Sequence, residues 1–492
     1  MEVHDTEMAP TRRTFLSLTA GTAAATVTGT VVGPLSGTAA VADDATGRLA
    51  GETGFDGRGS GPGWRVTPEP PDAELRGILR DVDPARIEAT VRRLAAFGTR
   101  HTLSTQDDPA RGIGAARDWI ADRLREYASA SGGRMTVEVQ SYLQPVASRI
   151  PTPTVISNVI ATLRGADTPN RMYVVTGHYD SRVTDVMNAT ADAPGADDDA
   201  SGVACLMELA RVMATRRSEA TIVFAAVAGE EQGLYGSAYM AQQLKSANAD
   251  VQAMFSNDIV GSPVGDDGVP HPRLVRLFAE GVPTAETPAE AAVRQSIGGE
   301  NDSVSRQLAR YALAVAQNEH TGMTIRTIHR RDRYLRGSDH ISFLRQGYPG
   351  LRFTEPRENF AHQHQDVRVE IGVQFGDLPE FCDFAYIARV AKVNGAVLWS
   401  LAQAPGTPKG VKIDTTALTN LSTLRWTRGG EPDLAGYEVL WRETTAPDWT
   451  HVIAVGDVTE ATIDLSKDNV FFGVRAVDAA GHRSPVAVPV PG

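Results

Sequence analysis

At 492 residues the chain is longer than one ordinary core sustains, so two or more domains are expected. Hydrophobic residues at 42% and charged residues at 22% are the proportions of a soluble globular protein. A net charge of −12 excludes a general nucleic-acid binder, which needs a basic footprint. The two cysteines, Cys205 and Cys382, exclude a disulfide scaffold and a Cys-based zinc knuckle. Both read as small buried free thiols, with one long-range bridge as the alternative.

The first residues carry a targeting pattern. Thr11-Arg12-Arg13-Thr14-Phe15-Leu16 is a twin-arginine signature, and an Ala/Thr/Gly-rich apolar stretch follows to Ala40. Ala40-Val41-Ala42 offers the small-x-small cleavage pattern, so residues 1–42 are expected to be a signal peptide. The stretch is too rich in Gly and Thr to read as a spanning helix. The mature protein is therefore expected to be secreted or periplasmic and free of the membrane. Residues 43–71, rich in Gly and Pro, read as a linker.

From Asp72 apolar residues recur at helical spacing: Ile87, Val91, Leu94 and Ala95, then Ala115, Trp119, Ile120, Leu124 and Tyr127. Strands are expected at Met135–Tyr142, Asn158–Leu163, Met172–Thr176, Thr221–Ala226, around Met254-Phe255 and at Gly350–Phe353, with helices such as Val203–Met213 between them. This alternation predicts an α/β domain over residues 72–404, built on a mixed, largely parallel sheet flanked by helices. After Ala404-Pro405-Gly406-Thr407-Pro408 come short β-type runs at Thr423–Trp426, Gly436–Trp441, His451–Val455, Ala461–Leu465 and Val470–Val477. They predict a small all-β sandwich over residues 409–492.

Polar groups follow three of the apolar runs. Met172–Thr176 leads into Gly177-His178-Tyr179-Asp180, Ile222–Val227 into Ala228-Gly229-Glu230-Glu231, and Met254-Phe255 into Ser256-Asn257-Asp258. Between the first two lies Pro194-Gly195-Ala196-Asp197-Asp198-Asp199-Ala200-Ser201-Gly202, just ahead of a helix. Taken singly, an Asp triplet is an ordinary solvated turn or cap, and a Glu pair after a strand is ordinary surface. If the strands are parallel, however, all these groups reach one sheet edge, where ligands of open α/β sheets bind. Clustered carboxylates repel one another, and a cation relieves the repulsion. Imidazole with carboxylates and no thiolate suits zinc or a similar divalent ion.

The set of His-x-Asp, Gly-x-x-Asp-Asp-x-Ser-Gly, Glu-Glu, strand-end Asp and distal His resembles the di-zinc aminopeptidases of bacterial secretion, a family that includes glutaminyl cyclases and glutamate carboxypeptidases. The resemblance runs from about Asp72 to Ala404 and implies a zinc-exopeptidase fold with two Zn2+ ions. By that likeness His178 and Asp258 hold one zinc, Glu231 and a late histidine the other, and Asp198 bridges both. Asp197 and Asp199 are then neighbours and not ligands. Asp180 orients or polarises His178, and Glu230 is the general base for a water activated between the metals.

The late histidine stays open at this point. In Glu358-Asn359-Phe360-Ala361-His362-Gln363-His364-Gln365-Asp366, counting back four from Asp366 selects His362, while the Glu-Asn-aromatic start favours His364, which is taken as the ligand. His340, in Ser338-Asp339-His340, is a third candidate and by the resemblance lines the site without binding metal. His101 reads as structural.

The implied activity is removal of N-terminal residues from peptides or proteins. Alternatives are cyclase or carboxypeptidase chemistry on the same fold, or a catalytically inactive surface-binding protein. Residues 409–492 resemble a fibronectin type III module through Trp426, Tyr437–Trp441 and Phe471–Asp478, which implies a tether, spacer or surface-docking role.

Overall fold

The structure, a computed structural model, describes residues 61–492. The twin-arginine signature, the cleavage site and the linker up to residue 60 lie outside the described residues.

The chain runs β1 (Trp64–Arg65), α1 (Ala73–Asp81), α2 (Pro84–Ala95), α3 (Gly112–Ser129), β2 (Met135–Gln144), β3 (Thr154–Leu163), β4 (Thr168–His178), α4 (Ser201–Met213), β5 (Ala220–Val227), α5 (Glu230–Gly233), α6 (Tyr235–Ser246) and β6 (Asp250–Asn257). It continues through β7 (Leu274–Ala279), α7 (Pro288–Ser296), α8 (Val304–Ala316), β8 (Thr324–Ile328), α9 (His340–Arg345), β9 (Gly350–Thr354), the small hairpin β10 (Arg368–Glu370) and β11 (Val373–Phe375), and α10 (Phe384–Gln403).

Eight strands form one sheet in the order β2-β3-β5-β4-β6-β9-β7-β8. Its centre is parallel: β4 pairs in parallel with β5 and β6, and β6 with β9. The flanks introduce antiparallel pairs, β2 with β3, β3 with β5, and β7 with β9. The fold is thus the mixed α/β sheet expected from the alternation. β7 and β8 were not expected: an arginine sits inside each short run, at Arg276 and Arg326, and breaks the apolar pattern.

Period-2 alternation explains why the sheet is covered on both faces. On β5, Ile222, Phe224 and Ala226 join one apolar cluster with α2, α3, α4, α8 and α10. The alternate residues Val223, Ala225 and Val227 join a second cluster with Met240 and Ala241 of α6 and Phe343 of α9. α4 packs so closely on the end of β4 that a Cβ on Gly177 would lie 2.6 Å from the backbone carbon of Gly202. This contact brings the Asp-rich turn ahead of α4 against His178. Cys205 is buried and free as expected, while Cys382 is free but only half-buried, at the margin of the core.

The C-terminal strands β12 (Lys409–Ile413), β13 (Ser422–Thr427), β14 (Leu434–Glu443), β15 (His451–Gly456), β16 (Glu460–Ile463), β17 (Val470–Asp478) and β18 (Val490–Pro491), together with β1, form two separate four-stranded sheets, β1-β15-β14-β17 and β16-β13-β12-β18. Leu424, Trp426, Val439, Trp441, Phe472 and Val474 fill the space between them. β1, within the stretch read as linker, pairs antiparallel with β15, Trp64 opposite Val452. The indole of Trp441 donates to the carbonyl of Pro62 at 2.8 Å, which anchors the same stretch.

Polar contacts join these sheets to the α/β part. Arg442 pairs with Asp302 at 2.7 Å with both groups buried, Arg171 pairs with Glu431 at 3.1 Å, and Trp449 Nε1 donates to Gln307 at 2.9 Å. His482 lies 2.8 Å from Asp478 and 3.4 Å from Asp72, the N-cap of α1. The hydrogen bond to Asp478 raises the His482 pKa to about 9, against the opposing effect of burial. Because the folded pKa is raised, this contribution to stability is fully present below the unfolded value of about 6.5 and is lost as pH rises through 9. Replacing His482 with Gln is therefore expected to destabilise by about 1–2 kcal/mol at pH 6 and by little at pH 10. Urea denaturation of both proteins across that range checks it, and a pH-independent difference would sink the assignment.

Candidate metal centre

Because β4, β5, β6 and β9 run in one direction, their carboxyl ends share an edge. His178 closes β4, Glu230 and Glu231 open α5 just after β5, Asp258 follows β6, and His364 lies on the loop after β9. The structure brings all of them together with Asp198. One set, His178, Glu230 and Asp258, presents ligand atoms that all lie within 4.8 Å of one another, and so does a second set, Asp198, Glu231 and His364.

Asp198 stands between the sets. Its Oδ1 is 3.0 Å from His178 Nε2 and its Oδ2 is 2.8 Å from His364 Nε2. His364 Nε2 also lies 2.9 Å from Glu231 Oε1, and Asp258 Oδ1 is 3.9 Å from His178 Nε2. His178, Asp198, Glu231 and Asp258 are buried, whereas Glu230 and His364 are half-buried and open the centre to solvent.

The residues fit a divalent cation. His178 Nε2 is buried and makes no hydrogen bond, although two carboxylates surround it. An imidazole nitrogen enclosed by carboxylate oxygens without a hydrogen bond has the donor set and the charge that zinc requires.

Neighbouring groups hold the donors in place. His178 Nδ1 donates to the backbone carbonyl of Asp180 at 3.1 Å, whereas the Asp180 carboxylate is 3.6 Å away. That carboxylate accepts instead from the backbone N–H of Glu230 at 3.3 Å, that of Glu231 at 3.1 Å and the Thr102 hydroxyl at 2.9 Å. Asp180 thus orients His178 through its main chain, and its side chain fixes the Glu-Glu pair. Asp199 accepts from the backbone N–H groups of His178 at 2.9 Å and Gly202 at 3.0 Å. Asp197 accepts from Gly261 at 2.6 Å. Asp377 accepts from the backbone N–H groups of Asp197 and Asp198, both at 2.8 Å, and so sets the turn that presents Asp198.

His362 stacks on Phe381 with ring centroids 3.6 Å apart and does not reach the donor clusters. His340 is buried and turned away: its Nε2 donates to the carbonyl of Arg331 at 2.8 Å. This departs from the expectation that His340 lines the site. Within Ser338-Asp339-His340 it is Asp339 that joins the charge cluster. Its carboxylate is buried without a hydrogen bond, and burial, with Asp258 and Asp180 nearby, pushes its pKa up to about 7 against the pull of His178. His101 hydrogen-bonds to Val186, Gln232 and Leu103, a structural position.

Sequence reasoning missed three arginines. Arg352 on β9 is fully buried, 3.1 Å from Asp258 and 3.1 Å from Asp332. Arg100 donates to the carbonyls of Leu94, Tyr179, Pro194 and Gly195, tying the entrance of the Asp-rich turn to β4. Arg182 donates to Glu231 Oε2 at 3.0 Å and reaches 2.6 Å from His364 Nδ1 at the rim. The Asp-Ser-Arg run after His178 was the available signal for Arg182.

Burial and the nearby carboxylates of Asp258, Glu231 and Asp339 raise the Glu230 pKa well above the usual carboxylic range, against the pull of His178. Asp258 shows the opposite balance: burial pushes its pKa up, but Arg352 and His178 pull it below the ordinary range. Two carboxyl groups with opposed proton affinities, beside a cation-binding donor set, are the components of hydrolytic acid–base chemistry. A cavity of about 670 Å³ between α7 and residues 488–491 contains none of these groups.

An α/β sheet with paired His and carboxylate clusters at its carboxyl edge defines a metallohydrolase arrangement. The model of peptidase family M28 matches residues 158–372. A probable zinc metalloprotease of Pyrenophora teres f. teres (strain 0-1) is 56% identical over 434 residues, covering 88% of this chain and 90% of the relative. Another from Pyricularia oryzae (strain 70-15) is 57% identical over 433 residues, covering 87% and 86%. The chain belongs to peptidase family M28. Among solved structures, the LapA aminopeptidase of Legionella pneumophila aligns with a TM-score of 0.47 at 17% identity, covering 67% of this chain and 75% of that one. An aminopeptidase from Aneurinibacillus sp. strain AM-1 aligns with a TM-score of 0.47 at 16% identity, covering 67% and 96%.

Proposed function

We propose that the protein is an exported zinc aminopeptidase that removes N-terminal residues from peptides. The observation that carries the reading is the position of Asp198, one oxygen at each histidine, 3.0 Å from His178 and 2.8 Å from His364. The curated relatives bear the name of probable zinc metalloproteases, which supports zinc as the ion. His178, Asp258 and Asp198 would hold one Zn2+, and Asp198, Glu231 and His364 a second. Bound zinc would supply Lewis acidity to the scissile carbonyl and lower the pKa of water.

The chain's own residues supply the rest. Glu230, half-exposed and adjacent to Glu231, takes the proton from water and returns it to the leaving amine; its raised proton affinity suits that shuttle. The backbone hydrogen bonds from Glu230 and Glu231 to Asp180 keep the base at a fixed distance from the donors. Export rests on Arg12-Arg13 and on the Ala40-Val41-Ala42 pattern. The all-β tail, with the Trp426 and Tyr437–Trp441 pattern of a fibronectin type III module, is a spacer or surface-docking element.

The test pairs metal analysis with a panel of aminoacyl-nitroanilides, free and N-acetylated, on protein recovered outside the cytoplasm. About two zinc per chain, chelator-sensitive release from free substrates alone, and a mature protein starting at Asp43 are expected. Release from N-acetylated substrates, or full activity without metal, would overturn the reading.

A further inference from the structure

In a chain of net charge −12, residues 329–336 read His-Arg-Arg-Asp-Arg-Tyr-Leu-Arg, and Arg345 follows at the end of α9. These arginines wall a cleft of about 420 Å³ that is closed on one side by Leu234. Two of the five are already neutralised: Arg333 and Arg336 both pair with Glu358, at 3.0 and 2.8 Å. Asp332 offers no compensation, since it is buried and held by Arg352 at 3.1 Å. Arg330, Arg331 and Arg345 are exposed and none of them forms a salt bridge among the described residues, although Arg331 reaches Thr284 at 3.5 Å and its charge acts on Glu280. Arg330 lies over the ring of the exposed Tyr334, 3.8 Å from its centroid. Three exposed guanidinium groups outside any salt bridge, around one concave surface, concentrate a positive field that an anion would neutralise.

The cleft borders the candidate centre. The backbone N–H of Leu234 donates to the carbonyl of Glu230 at 3.0 Å, so this wall begins one helical turn from the proposed base. Arg352 bridges Asp258 of the centre and Asp332 of the cleft segment, and His340 holds the carbonyl of Arg331 at 2.8 Å. A peptide whose first residue occupies the centre would present its downstream residues to this neighbouring wall.

We propose that this cleft is a subsite for acidic side chains of the substrate, a few residues downstream of the bond being cut. Guanidinium groups pair with carboxylates in bidentate geometry; Arg330 lies over Tyr334 and donates from Nη2 to its hydroxyl, which leaves the remaining N–H groups to donate to a ligand. The inference rests on the aminopeptidase reading, and it makes acidic peptides the preferred substrate class.

The experiment uses peptides with one common N-terminal pair, followed by three Glu, three Gln or three Lys residues. They are given to the wild type and to the combined Arg330→Gln, Arg331→Gln, Arg345→Gln variant. In the wild type the KM for the Glu series is expected to be about tenfold below that for the Gln series, with equal kcat and a gap that closes in high salt. The variant is expected to lose the gap while its kinetics on the Gln series stay unchanged. Equal KM values for Glu and Gln in the wild type, or a gap that survives in the variant, would overturn the proposal.

A second readout is independent of turnover: fluorescence anisotropy with an N-acetylated, labelled Glu-rich peptide. If no peptide is hydrolysed, the aminopeptidase reading falls and this binding alone decides the cleft. Binding that disappears in the variant supports the subsite, and absence of binding to the wild type rejects it. Tighter binding of a single-stranded oligonucleotide than of the acidic peptide also rejects it.

Discussion

Replacing Glu230 with Gln is expected to lower kcat by about 10²- to 10⁴-fold while leaving bound zinc unchanged. The substitution keeps the shape and the backbone hydrogen bond from residue 230 to Asp180. It removes only the carboxylate that would accept a proton. The His, Asp and Glu donors at 178, 198, 231, 258 and 364 are untouched, so metal content separates loss of the base from loss of the centre. Metal analysis and steady-state kinetics on one preparation make the comparison. Loss of zinc in parallel with activity would place Glu230 among the ligands, beside His178 and Asp258. Substantial residual kcat with full zinc would transfer the proton-accepting role to another group.

Replacing Arg352 with Met is expected to destabilise the metal-free protein by about 3–5 kcal/mol. Arg352 is fully buried between Asp258 and Asp332, and its loss leaves these buried carboxylates with only more distant cationic neighbours, His178 at 3.9 Å from Asp258 and Arg333 at 3.5 Å from Asp332. Zinc should restore part of the loss, because it would supply a close positive partner to Asp258 and none to Asp332. Urea denaturation with chelator and with added zinc measures both quantities. Equal stabilisation of wild type and variant by zinc would show that Arg352 and the metal do not share Asp258.

Much of the sheet was readable because its central strands are buried on both faces and therefore appear as apolar runs: Val174-Val175 in β4, Ile222–Val227 in β5, Met254-Phe255 in β6. The polar residues that terminate those runs stood out for the same reason, and parallel pairing places His178, Glu231 and Asp258 at one edge. The late histidine was less legible, because loop residues have no periodicity to say which of His362 and His364 faces inward. The structure turns His364 toward Asp198 and stacks His362 on Phe381.

Arg352 was hidden by its position inside an apolar strand, where a single arginine resembles a solvent-facing residue. Its partners Asp258 and Asp332 are distant in sequence, and only the fold unites them. Arg100 was hidden for a different reason: it serves backbone carbonyls, which leave no residue-type signature. Among the acids, Asp180 meets His178 through its backbone carbonyl at 3.1 Å, with its carboxylate at 3.6 Å, a choice between two oxygens that sequence does not encode.

The pairing of β1 with β15 has a consequence for biogenesis. Trp64 precedes the whole peptidase part, and its strand partner Val452 follows it, so the outer sheet closes only after nearly all of the chain has been synthesised. A nascent chain released early, or a protein shortened after α10, would leave the Trp64 segment without its sheet and expose the polar seam at Asp302 and Asp72. Completion of the tail is thus a late checkpoint on the integrity of the molecule.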